Sequence, residues 1–252
     1  MSATLKTAVV TGANSGIGLA TVEQFLQQGW QVIALDLKVD QVQGLPVAAA
    51  LALDVTADDA PDQVRQAVQA HGGVLHALVN NAGVGGARTL QDTDDAFLDR
   101  VLDVNLRSVL RITRAALPLL QAPGGCVVNV SSVYGEVGYP GSAPYAVSKA
   151  GVSQFTRQLA ADVAAQGIRV NAVAPGVIRT AMTQQRLDND PAYRAAMLGG
   201  TPLGVEGTPH DVASVITFLA SDKAAFVTGQ VIAVDGGWLS CRSVPSAQKR
   251  AD

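Results

Sequence analysis

Seven short apolar runs, separated by longer stretches of helical pattern, constrain this chain more than any other feature of its sequence. Residues 7–10, 32–35, 48–53, 75–79, 126–130, 168–173 and 231–234 are dominated by β-branched or apolar residues and read as strands. Largely apolar runs of this length belong to strands covered on both faces, as in parallel sheets. Between them, residues 17–28, 60–70, 93–120, 143–165 and 209–220 carry helix-like patterns, with Gly29 as a stop after the first and Thr208-Pro209 as cap and first turn of the last. Strand and helix in alternation predict an α/β fold: a doubly wound, seven-stranded parallel sheet in a three-layer α/β/α arrangement. The link from Asp36 to Val47 is short for a helical crossover, so any helix near residues 39–43 is expected to be brief.

The 252 residues, 48% hydrophobic and 15% charged, can bury one large core, and no linker or fixed-period repeat divides them; a single domain over residues 1–252 is expected. Residues 177–206 break the rhythm. They lie beyond a strand's carboxyl end, lack a core strand and are rich in Gln, Arg, Asp and Gly, which suits a substrate-binding lid, with a surface loop as the alternative. The polar tail, residues 242–252, falls beyond the patterned region.

A net charge of −3 without a Lys/Arg cluster argues against nucleic acid and for small molecules as partners. Cys126 and Cys241 form no disulfide framework or metal spacing and suit a reducing cytoplasm. His71, His76 and His210 are scattered, so no metal site is expected. Residues 1–6 lack a charged and apolar leader, and no apolar run approaches the roughly 18 residues of a membrane span.

Two clusters carry chemistry. Gly12, Asn14, Ser15, Gly16, Ile17 and Gly18 follow the first strand and open a helix, where glycines let backbone approach a pyrophosphate and the helix N-terminus offers free N–H groups. Asp36 ends the second strand, where a carboxylate can accept hydrogen bonds from an adenosine ribose and repel a 2′-phosphate. This favours NAD over NADP, with Lys38 a partial offset. Asp54-Val55 ends the third strand and either borders the adenine or makes a plain turn. The second cluster is Ser132 with Tyr145-Ala-Val-Ser-Lys149. Tyr145 and Lys149 are four apart on one helix and share a face, so an ammonium can lower the phenol's pKa from its usual value near 10 while Ser132, at a strand end, holds a substrate oxygen. Lys149 is one of five lysines and sits mid-helix among Ala, Val, Ser and Gly, unlike a solvated charged face.

Taken in order, residues 11–18, Asn80-Asn81-Ala82-Gly83, Asn105, Ser132, Tyr145, Lys149 and Pro175-Gly176 resemble the short-chain dehydrogenase/reductase family over nearly all of residues 6–239. The resemblance implies a Rossmann-type fold, a nicotinamide cofactor, carbonyl/alcohol interconversion and a homotetramer. It implies Tyr145 as general acid/base, Lys149 lowering its pKa and bonding the nicotinamide ribose, Ser132 orienting the substrate oxygen, and Asn105 holding a water relay to the lysine. Asn81 and Gly83 are implied at the cofactor-side turn, Pro175, Gly176, Ile178 and Thr180 at the nicotinamide carboxamide, and residues 234–239 at a subunit contact. Candidate substrate contacts are Ser132, Tyr139, Tyr145 and Met182, with Val84, Gly85, Val133 and the lid to Met197 nearby. Their mostly apolar or small character suggests a neutral cyclic, aryl or polyol alcohol, while Arg179 and Arg186 leave room for an acidic one. Two other readings stand beside this one: a 3-oxoacyl-carrier-protein reductase, and an NAD-binding redox sensor without catalysis.

Overall fold

The computed structural model describes residues 5–241; the tail at 242–252 and the first four residues lie outside that range. Seven strands, β1 (Thr7–Thr11), β2 (Gln31–Asp36), β3 (Ala49–Ala52), β4 (Ala77–Asn80), β5 (Cys126–Val130), β6 (Arg169–Pro175) and β7 (Val231–Val234), form one sheet in the order β3-β2-β1-β4-β5-β6-β7. Every neighbouring pair is parallel. The strand order reverses between β1 and β4, and an open α/β sheet has its crevice beyond the strand ends at that point.

Successive residues of a strand face opposite sides, and the two cores follow that alternation. Ala8, Val10, Val32, Ala34, Ala77, Val79, Cys126 and Val128 pack on one face against α1 (Gly16–Gln27) and α8 (Pro209–Ala220). Val9, Ile33, Leu35, Leu78 and Val127 face the other side, under α2 (Ala60–Ala70), α4 (Ser108–Ala116) and α5 (Ala143–Val163). Buried amides fasten α4 and α5 to this face: Asn80 Nδ2 donates to Thr113 Oγ1 and Asn129 Oδ1, and Asn129 Nδ2 donates to Thr156 Oγ1. Thr208 and Asp211 close a capping box on α8, with Pro209 in its first turn, as the sequence suggests.

Three boundaries differ from expectation. The helix expected over 93–120 is α3 (Asp95–Leu102), a π-helical turn (Asp103–Arg107), α4, and a 3-10 turn (Leu117–Leu119) in which Pro118, lacking an N–H, ends the run. Leu75, expected in a strand, makes only an isolated bridge to Leu120, and β4 begins at Ala77. The expected lid segment contains two helices, α6 (Ala181–Asn189) and α7 (Pro191–Gly199). Local capping accounts for them: Thr180 and Thr183 form a capping box on α6, and the Asp190 carboxylate accepts from Tyr193 N ahead of α7 with Pro191 in the first turn. The helices close over a small core of Val177, Leu187 and Met197.

Candidate active site

The glycine loop is shaped by what surrounds it. Gly12 has φ +64°, and a Cβ there would lie 2.8 Å from Ala82 Cα; a Cβ at Gly18 would overlap the Gly12 carbonyl oxygen. Asn81 Nδ2 donates to Thr11 O (3.0 Å) and Gly12 O (2.8 Å), while Thr11 Oγ1 accepts from Asn81 N and Ala82 N. These bonds sew the ends of β1 and β4 together at the switch point. Beyond them opens a cleft of about 650 Å³.

Gly12, Ser15, Gly16, Ile17, Asp36, Asp54, Val55, Asn81, Gly83, Ser132, Tyr145, Lys149, Pro175, Gly176, Ile178, Thr180 and Met182 all line this cleft, with Val84 beside them. Asp36 Oδ2 accepts from Asn14 N at 2.9 Å, which fixes its carboxylate at the cleft wall. Asp54 makes the turn considered for it, its Oδ1 accepting from Thr56 N and Oγ1, and it also lines the cleft.

Four expected site residues do not reach the wall. Gly18 is buried behind the loop, where its role is close packing. Asn14 is turned away: its Nδ2 donates to Asp40 Oδ1, and its Oδ1 accepts from Gln41 N and Val42 N, holding the 3-10 turn Val42–Gly44. Tyr139 stacks behind Tyr134, ring centres 4.6 Å apart. Asn105 is fully buried in the π-helical turn. Its Oδ1 accepts from Val84 N, and its Nδ2 donates to Val84 O and Ser148 Oγ, tying the loop after β4 to α5.

Ser132 follows β5 and caps the 3-10 turn Val133–Gly135, its Oγ accepting from Tyr134 N. Tyr145 stands in the first turn of α5 and Lys149 one turn later. A Cβ at Gly135 would lie 2.7 Å from the Lys149 carbonyl carbon, so glycine lets the Ser132 turn press onto α5 at this level. Tyr145 and Ser132 share the cleft wall, and the Ser132 side chain acts to lower the phenol's pKa. Lys149 is buried, its Nζ donating to Val130 O at 2.8 Å and lying 5.8 Å from the centre of the Tyr145 ring.

Burial governs the electrostatics of this pair. It raises the Tyr145 pKa above its ordinary value, against the lowering effect of the Ser132 side chain and with a smaller push from Tyr193. Desolvation pulls the Lys149 ammonium down from 10.5 to about 8.

A second chamber of about 280 Å³ adjoins the first at Ser132, Tyr145, Gly176 and Met182. Its wall includes Gly85, Val133, Tyr134, Arg186, Tyr193 and Met197. A Cβ at Gly85 would touch Met182 Sδ at 3.0 Å, so α6 leans over the loop after β4. Tyr134 and Tyr193 escaped the sequence reading, although all four tyrosines of the chain, with Trp238, gather here. The clustering of so scarce a residue type was the available signal. Arg179 does not line either space: it bonds Glu206 at 2.6 Å and Asp188 at 2.8 Å.

Among the described residues no three His, Cys, Asp or Glu side chains gather as a metal site, and no helix is long and apolar enough to cross a membrane. Residues 12–239 match a family model described as enoyl-(acyl carrier protein) reductase. The chain is 43% identical over 241 residues to a 3-oxoacyl-(acyl-carrier-protein) reductase of Thermotoga maritima, covering 92% of this chain and 97% of that one. It is 42% identical over 243 residues to a cyclopentanol dehydrogenase of Comamonas testosteroni, covering 92% and 96%. Among solved structures, 4-hydroxyisoleucine dehydrogenase complexed with NADH superposes with a TM-score of 0.85 at 31% identity, covering 94% of this chain and all of that one. With the parallel sheet, the glycine loop and the Ser132, Tyr145 and Lys149 arrangement already in place, these matches establish that the chain belongs to the short-chain dehydrogenase/reductase family.

Proposed function

We propose that this protein is an NAD(H)-dependent oxidoreductase that interconverts a secondary alcohol and a ketone. The observation that carries this reading is the gathering of Ser132, Tyr145 and buried Lys149 where the glycine-walled cleft meets the aromatic chamber.

The cleft suits a dinucleotide. Gly12 and Gly16 leave backbone bare at the N-terminus of α1, which favours a pyrophosphate, and the Asp36 carboxylate can accept from ribose hydroxyls while repelling a 2′-phosphate. Val55 on the cleft wall supports an adenine contact there, and Pro175, Gly176, Ile178 and Thr180, on the same wall, support the nicotinamide end. When bound, the cofactor supplies the hydride acceptor or donor.

In oxidation, Ser132 Oγ and Tyr145 Oη hold the alcohol oxygen, and Tyr145 takes its proton as the carbon loses a hydride; ketone, reduced cofactor and one proton result. Reduction reverses each transfer, Tyr145 giving its proton to the ketone oxygen. Lys149, fixed by Val130 O, places positive charge near the phenol. Because burial lifts the Tyr145 pKa, ionisation depends on that charge together with the positive charge of an oxidised nicotinamide ring. Asn105 acts as a positioning residue, holding Val84 and Ser148 around the lysine.

The chamber's aromatic and aliphatic wall supports a compact substrate with an apolar body, cyclic or aryl in character. A homotetramer is the assembly this reading carries, and light scattering tests it.

Reduction of a 3-oxoacyl group on a carrier protein is the second reading, favoured by the Thermotoga maritima relative. Asp36 weighs against it, since that class usually uses NADPH. Nicotinamide absorbance decides, with NAD⁺ and NADP⁺ against cyclic, aryl, polyol and hydroxyacyl alcohols. A Tyr145-dependent rate with NAD⁺ supports the proposal. Preference for NADPH and oxoacyl thioesters favours the second reading, and cofactor binding without turnover favours a redox sensor.

A further inference from the structure

The lid carries three arginines with unequal partners. Arg179 is held by Glu206 and Asp188, and Arg194 Nε by Glu206 Oε1 at 3.3 Å. Arg186 is different. Its only acidic neighbour among the described residues is Asp190, with Nε 3.7 Å from Oδ2, beyond hydrogen-bond distance, and the other oxygen of that carboxylate caps α7 by accepting from Tyr193 N. The guanidinium lies instead on the Tyr193 ring, its centre 4.0 Å from the ring centroid, and it lines the second chamber. No other charged side chain lines that chamber.

Stacking fixes the plane of a guanidinium without occupying its N–H donors, which point in the ring plane and match the two oxygens of a carboxylate. Arg186 also acts electrostatically on the phenols of both Tyr134 and Tyr193. Tyr134 in turn packs edge-on to Tyr145, ring centres 6.4 Å apart. The lid thus presents a stacked, half-exposed cation in the wall of the chamber that also holds Ser132 and Tyr145, a space otherwise walled by uncharged groups.

We infer that the substrate is an anionic ketone or alcohol: a compact oxo- or hydroxycarboxylate whose carboxylate pairs with Arg186 while its carbonyl or hydroxyl oxygen meets Ser132 and Tyr145. This deepens the proposed function and rests on it. It also replaces the neutral substrate suggested by the sequence, because the one charge in the chamber is a cation whose donors no carboxylate takes up.

The test is reduction by NADH of 2-oxopropanoate, 3-oxobutanoate, 4-oxopentanoate, 5-oxohexanoate and 4-acetylbenzoate, each beside its uncharged methyl ester, in wild type, Arg186→Gln, Arg186→Lys and Tyr145→Phe. The expected result is an acid-over-ester ratio of kcat/KM of about tenfold or more for at least one pair. Arg186→Gln brings that ratio close to one, mainly through the KM of the acid. Arg186→Lys restores part of it, since the charge is kept and the fork is lost. Reading the ratio within each protein cancels losses from misfolding. Esters reduced as fast as acids at every length, or a ratio untouched by Arg186→Gln, would overturn the anionic substrate while leaving the alcohol/ketone reaction intact. Absence of Tyr145-dependent turnover with any compound overturns the proposed function and this inference with it.

Discussion

Burial changes the chemistry of Lys149, and the change is measurable without a substrate. The unfolded chain keeps its ammonium up to the ordinary pKa of 10.5, whereas the folded chain releases that proton near 8. Between those values the unfolded state binds more protons, so this group's contribution to stability rises with pH across the window. Below about pH 8 both states are charged and the folded state bears the full cost of burying the ammonium. Thermal unfolding of wild type and Lys149→Met from pH 7 to 10.5 should therefore show wild type gaining on the variant above pH 8, by up to a few kcal/mol. A difference independent of pH would mean that the ammonium is solvated. At the other end of the cleft, Asp36→Asn removes the charge that opposes a 2′-phosphate. The NAD⁺ over NADP⁺ ratio of kcat/KM should fall by roughly tenfold or more, and an unchanged ratio would rule out Asp36 as the discriminating group.

The elements show what can be read from a sequence and what cannot. Strands and α1, α5 and α8 were legible because buried parallel strands are mostly apolar and because Gly29, Thr208 and Pro209 punctuate the helices. The π-helical turn at Asp103–Arg107 was not, since one extra residue in a turn leaves the apolar pattern nearly intact. Its consequence is nonetheless large: it houses Asn105, whose amide pairs with both backbone groups of Val84 and with Ser148. Asn105→Ala leaves the half-buried Val84 groups without their partner, a cost of about 1–3 kcal/mol. The expected outcome is a Tm lowered by several degrees together with a drop in kcat at unchanged NADH affinity, measured by calorimetry and fluorescence titration. Full activity in that variant would reduce Asn105 to a residue of helix packing. Asn14 teaches the converse lesson: its place in the glycine loop suggested cofactor contact, but its carboxamide is spent on Asp40, Gln41 and Val42, a partnership between distant residues that no local pattern displays.

At the scale of the whole molecule, the rigid sheet and the lid are held by different physics. The sheet is fixed by two apolar cores, but α6 and α7 rest on only three buried side chains and a charged network at their base, where Glu206 joins Arg179 and Arg194 across the Ile178–Gly207 bridge. Ser132, Tyr145 and Lys149, the proposed catalytic residues, ride on the first and much of the second chamber on the lid, so chemistry and specificity can loosen separately. Glu206 is the shared acid; replacing it with Gln leaves Arg179 its bond to Asp188 but takes the charge that links both arginines. Partly exposed networks of this kind are worth about 1 kcal/mol, enough to raise the population of an open lid roughly fivefold. In Glu206→Gln, trypsin should therefore cut after Arg186 or Arg194 several times faster than in wild type, while the cut rate in the sheet core and the Tm stay close to wild type. Substrate KM should rise by a similar factor with little change in kcat, because Ser132, after β5, and Tyr145 and Lys149, on α5, lie outside residues 177–206. Equal cleavage rates in the two proteins would place the stability of the lid in Val177, Leu187 and Met197 instead of in its charges.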